Sequence, residues 1–124
     1  MYSVTEEKFH EFVDLALETI PPNFKEKMDN LIFLVEDYPT SSDLERLKLQ
    51  DGRMLLGLYS GTPNTHRNTW YGNTVPDRII LFHKNIESLC YNEAELREKI
   101  REVMVHEIAH YFGMNEDEVR KAGY

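Results

Sequence analysis

The 124-residue chain carries a formal net charge of −8, with 41% hydrophobic and 29% charged residues; this is the balance of one ordinary globular domain spanning residues 1–124. No run of Lys or Arg interrupts the acidic excess, so the clustered positive charge that nucleic acid or an anionic membrane surface requires is missing. The single cysteine, Cys90, permits neither an intrachain disulfide nor a Cys-based zinc site, and is expected to be a small buried hydrophobe.

The chain starts MYSVTEEKFHEF, acidic and amphipathic, without the basic stretch, apolar core and cleavage site of a signal peptide. No apolar run approaches the roughly 20 residues that span a bilayer. The expectation is a cytoplasmic, monomeric protein.

Residues 5–20 place Phe9, Phe12, Val13, Ala16, Leu17 and Ile20 on one face at helical spacing, with Ser3 or Thr5 as the cap. Pro21 and Pro22 stop that helix, and Pro22 can open a short second one reaching Met28. The apolar run Leu31–Val35 predicts a strand buried on both faces. After a loop over Asp37–Ser42, Asp43–Leu47 can form one helical turn. Arg53–Tyr59 and Arg78–His83 predict two more strands. Between them a long polar stretch reaches Pro76, and irregular segments of that length are often functional. Asn92, with Glu95 three residues on, reads as the cap of a long helix that runs to Phe112 and ends at Gly113. A short helix over Asn115–Lys121 follows. Helix, strands, then helix predicts an α+β domain, with a small sheet of three to four strands packed against the long helix.

That helix contains His106-Glu107-Ile108-Ala109-His110. Histidines at i and i+4 face the same way one turn apart, and their imidazoles can converge on one zinc ion. Glu107 is rotated about 100° from His106, so its carboxylate can stand beside the ion and hold a water. Met104, Val105, Ile108, Ala109 and Phe112 make much of the remaining circumference apolar, which implies burial. Two histidines and a glutamate are costly in such a setting without partners, and a metal with its water satisfies all three. A third protein ligand is needed. Gly113 can reverse the chain and return Glu116, ten residues after His106, over the imidazoles. Asp117, and more distant groups such as His66 or His83, are the alternatives. The acids at 116 and 117 also suit the start of a helix without any metal. Tyr71, Tyr111 and Arg78 could stabilise an oxyanion but read first as structural. The loop Trp70-Tyr71-Gly72 either borders a cleft or covers the core.

HEIAHYFGMNEDEV resembles the motif of the minimal zincin-like metallopeptidases, small bacterial proteins with HExxHxxGxx followed by an acid. MLLGLYSGTP, the Tyr-Gly loop and PDRIILF extend the resemblance over nearly the whole chain. The family usually has Asp where this chain has Glu116, with Asp117 beside it. The resemblance implies a zinc metallopeptidase in which His106, His110 and Glu116 (Asp117 as the alternative) are ligands and Glu107 is the general base. Metzincins share the spacing but carry a downstream methionine turn, and no methionine follows Glu116 in this sequence. The expected substrate is a peptide or protein, laid along an edge strand by β-addition with Arg78–His83 as that strand. Two rivals stand beside this reading: a metal hydrolase acting on a non-peptide carbonyl, and a metal-stabilised binding module without turnover. The same ligand set serves iron oxygenases, but the glutamate inside HEIAH favours hydrolysis.

Overall fold

Phe9, Phe12, Val13 and Ala16 form the buried stripe of the first helix, α1 (Glu6–Glu18), whose start is capped by the Thr5 hydroxyl accepting from the Lys8 N–H at 3.1 Å. The computed structural model describes residues 2–46, 54–61 and 76–124. Pro22 then opens α2 (Pro22–Lys25), and the chain tightens into a 3₁₀ turn over Glu26–Met28. Strand β1 (Leu31–Glu36), helix α3 (Ser41–Arg46) and strands β2 (Gly57–Ser60) and β3 (Asp77–Phe82) follow. Helices α4 (His83–Glu87), α5 (Glu93–Tyr111) and α6 (Glu116–Lys121) complete an α+β fold.

Among the described residues the sheet has the order β1-β3-β2. β1 runs parallel to β3 with Leu34 opposite Ile80, and β2 runs antiparallel with Leu58 opposite Ile80. The strand covered on both faces is therefore β3, where Ile79, Ile80, Leu81 and Phe82 are all buried. This corrects the expectation that Leu31–Val35 fills that role. β1 pairs on one side only among the described residues, and its Ile32 is 41% exposed. Both segments are continuous apolar runs, and such a run does not reveal which strand has neighbours on both sides.

Ile79 and Leu81 meet Leu96, Ile100, Val103, Met104 and Ile108 of α5, and α1 closes the same core. Ile80 and Phe82 lie on the other face with Leu58. Asn92 caps α5 as expected, accepting from the Glu95 N–H at 2.8 Å, while the Glu95 carboxylate accepts the Tyr91 N–H at 3.0 Å. Cys90 is buried, and burial pushes its thiol pKa up. Helix α4 has no sequence signal, because β3 passes into it at His83 without a glycine or proline. No helix among the described residues is long and apolar enough to cross a membrane.

Ile100 is fully buried between α5 and the sheet. Ile100→Ala should cost about 2–5 kcal/mol through lost burial and the cavity left behind. Leu89→Ala, at a residue 46% exposed, should change stability by only about 0.5 kcal/mol. Denaturant unfolding of the two variants checks the contrast.

Candidate metal centre

Helix α5 delivers His106 and His110 one turn apart, with ring centroids 5.0 Å from each other. Its end is set by Gly113 at φ 94°, a left-handed position that costs glycine little. Gly113 N–H donates to the His110 carbonyl at 2.9 Å and Met114 N–H to the Ala109 carbonyl at 3.1 Å. This is a Schellman turn, and it sends the chain back across the helix. Asn115 then caps α6 in a reciprocal box with Glu118, which leaves Glu116 at the first position of α6.

The outcome is a three-way contact. Glu116 Oε1 lies 3.1 Å from His106 Nε2 and 2.9 Å from His110 Nε2. Asp117 makes no such bond to either ring among the described residues, so of the two adjacent acids it is Glu116 that faces the imidazoles. One ligand atom from each of His106, Glu107 and His110 also falls within 4.8 Å of the others. Glu107 nevertheless stands apart from the three-way contact, because its Oε1 accepts the Tyr59 backbone N–H at 2.9 Å.

The far side of each imidazole identifies its protonation. His106 Nδ1 faces the main-chain oxygen of Tyr124 at 3.3 Å, and His110 Nδ1 faces that of Met114 at 2.8 Å. A main-chain oxygen only accepts, so each Nδ1 carries hydrogen and donates. A neutral ring then has its lone pair on Nε2, aimed at a carboxylate oxygen that also only accepts. Either protons or a cation must fill that space. Two nitrogens and one oxygen form the donor set of a catalytic zinc site. Ligand atoms about 2.0–2.1 Å from a tetrahedral ion lie roughly 3.3 Å apart, so the trio need open only slightly. These residues fit the ion.

The electrostatics agree. Burial alone favours neutral His106, but its hydrogen bonds to Glu116 and the Tyr124 oxygen, together with the nearby Glu107 and Glu116 carboxylates, outweigh that and raise its pKa. Burial likewise disfavours the Glu116 carboxylate, yet the bonds to His106 and His110 hold its pKa below the usual range. Burial dominates at Glu107 and pushes its carboxyl up, against the opposing pull of His110, His106 and the Tyr59 amide. A carboxyl shifted upward has moved toward the range of a working general base. A cleft of about 320 Å³ opens beside His106, Glu107 and Glu116, with Leu55 and Gly57 on its sheet side.

Several candidate residues lie elsewhere. His83 is 2% exposed, pairs through Nε2 with Glu87 Oε2 at 2.8 Å and stacks on Phe9; it belongs to the core, not to the metal centre. Tyr111 donates its hydroxyl to the Lys27 carbonyl at 3.0 Å. Arg78 alternates with Ile79 and so sits on the sheet face opposite α5. His66, Trp70 and Tyr71 lie outside the described residues. Nothing in the sequence announces the Tyr59 amide or the Met114 and Tyr124 oxygens, because backbone groups are the same at every position. Gly57 within an otherwise apolar run is the one visible hint.

The profile of the zincin-like metallopeptidase family matches residues 28–124. No curated protein matches the chain. Among solved structures, the chain is similar to a conserved hypothetical protein from Thermo thermophilus, with a TM-score of 0.58 and 22% identity over 87% of this chain and 94% of that one. At that identity the likeness concerns the fold.

His110→Ala should abolish stoichiometric zinc binding, since it removes one of three donors. Glu116→Ala should weaken binding by more than the roughly 10–100-fold that loss of an outer hydrogen-bond partner costs, while Asp117→Ala should leave it within about 3-fold. Competition titration with a chromogenic chelator measures all three; a reversed order for the two acids would move the carboxylate ligand to Asp117.

Proposed function

Given that the chain belongs to the zincin-like metallopeptidase family, we propose that it is a zinc-dependent hydrolase that cleaves peptide bonds, with His106, His110 and Glu116 as ligands and Glu107 as general base. The observation that carries this reading is the shared contact of Glu116 Oε1 with both Nε2 atoms, with a buried Glu107 carboxylate alongside. The ion, when bound, polarises a carbonyl and makes water acidic enough to attack it near neutral pH. Glu107 takes the proton from the attacking water. It then passes that proton to the leaving amine. His106 and His110 are kept in the tautomer that presents Nε2 by the main-chain oxygens behind them.

The substrate is a peptide added to a sheet edge. Arg78–His83 is not that edge: β3 is the middle strand, with both sides already paired. Strand β2 pairs only with β3 among the described residues and borders the cleft at Gly57; its outward Tyr59 N–H is held by Glu107, so the outward backbone groups of Gly57 are the edge that a peptide would join.

Glu107→Gln keeps the size and shape of the side chain but cannot accept a proton at neutral pH. It should retain zinc and lose about 10²–10⁴-fold in turnover, assayed on zinc-loaded protein with a mixed peptide library. Equal turnover by variant and wild type would remove Glu107 from the role of base. No cleavage of any peptide by the wild type would shift the reading to a metal-stabilised binding module.

A further inference from the structure

The approach of β2 to α5 depends on one missing side chain. A Cβ built on Gly57 would stand 2.6 Å from Val103 Cγ1 and 3.2 Å from Glu107 Cγ. The first separation is shorter than carbon atoms tolerate. Among the described residues the glycines with positive φ are Gly113 and Gly123, and Gly57 is not one of them. Its backbone conformation is therefore open to any residue, and what demands glycine at this position is space.

Two residues along, that closeness is used. Phe82 N–H donates to the Leu56 carbonyl at 3.0 Å. In an antiparallel ladder this turns the backbone groups of residues 56, 58 and 60 toward β3 and those of 57 and 59 outward. The outward Tyr59 N–H reaches Glu107 Oε1 at 2.9 Å. Tyr59 is itself fixed at its other end, where its hydroxyl donates to the buried Asp77 at 2.6 Å. A glutamate side chain has three rotatable torsions, and a single strong donor from a rigid strand removes much of that freedom.

We infer that Gly57 is a positioning residue: by letting β2 rest directly on α5, it allows the Tyr59 amide to hold the Glu107 carboxylate in the orientation needed for proton transfer. The inference rests on the hydrolase reading for its catalytic consequence, and on geometry alone for the contact. Any side chain at position 57 pushes the strand away from Val103 and Glu107 and pulls the amide off the carboxylate. Misplacing a reacting group by about 1 Å can cost on the order of 100-fold in rate.

The test compares wild type, Gly57→Ala and Gly57→Ala/Val103→Ala, each loaded with zinc. Val103→Ala removes the atom that the new methyl group would strike, so the steric account requires it to act as a rescue. Three quantities are read: zinc affinity, hydrogen exchange at the Tyr59 amide, and kcat and KM on a cleaved library peptide. Gly57→Ala should keep zinc affinity within about 3-fold, speed Tyr59 exchange by about 10-fold or more, and lower kcat by about 10–100-fold with little change in KM. The double variant should restore slow exchange and most of kcat. Unchanged Tyr59 exchange in a folded Gly57→Ala overturns the inference, as does a double variant that fails to fold or binds zinc without recovering. If the wild type cleaves nothing, the hydrolase reading fails by itself, while the exchange data still decide whether Gly57 sets the contact with Glu107.

Discussion

Glu107 is a carboxylate wedged between a helix and a sheet, and much of the surrounding structure is arranged around keeping it there. Its residue is 9% exposed, and burial dominates the environment of its carboxyl. An ion of that kind in an apolar interface costs several kcal/mol unless it is met by donors or charge. The helix cannot supply the donors, because its own N–H groups are used internally. Help comes from outside: the Tyr59 amide donates to the carboxylate, and His106 and His110 pull against the effect of burial. The same compromise that makes the site expensive leaves a carboxyl whose proton affinity is higher than that of an exposed glutamate.

The two histidines solve a related problem with backbone atoms. Each ring is pinned at Nδ1 by a main-chain oxygen that follows a tight turn, Met114 after Gly113 and Tyr124 after Gly123. Loop oxygens do this cheaply, because carbonyls at and beyond a helix end lack intrahelical partners and seek donors. The turn that reverses the chain at Gly113 therefore does two things. It orients His110 through Met114, and it returns Glu116 to the space in front of both rings. Orientation of the His110 ring and delivery of Glu116 are consequences of one change of direction, so the ten-residue spacing between His106 and Glu116 has a concrete structural meaning.

What can be read from the sequence follows the length scale of the interaction. The histidine pair, the glutamate between them, the Asn92 cap and the Gly113 stop are all set by spacing along a single helix, and helical periodicity is local. The core face of α1 is legible for the same reason. The sheet is only half legible. LIFLV and RIILF both advertise strands, but their neighbours are chosen by residues far away, so periodicity alone exchanges the middle strand and the edge. Helix α4 is hidden because His83 and Glu87 derive their burial from Phe9 and Val4, more than seventy residues distant. Least visible are the backbone donors and acceptors that orient the site, which no residue type announces. Gly57 sits between these limits: the letter is conspicuous in MLLGLYSG, yet its reason becomes clear only when Val103 is seen across from it.

The two halves of the centre differ in how firmly they are built. His106, Glu107 and His110 project from a helix of 19 residues whose Leu96, Ile100 and Met104 are fully buried. Glu116 comes from a helix of six residues with one buried side chain, Val119. A helix that short does not persist by itself in water. It is retained by the Gly113 turn, the Asn115 capping box, Val119 and the bonds from Glu116 to the imidazoles. An ion shared by all three ligands would thus join a rigid element to a marginal one. Part of its binding free energy would appear as stability of α6 and the turn before it. The same turn holds the Met114 oxygen that orients His110, so ordering α6 and bringing Glu116 to the two imidazoles are one event. This fold can keep an expensive polar site because only one wall of it, α5 against the sheet, must be fixed by the core in advance.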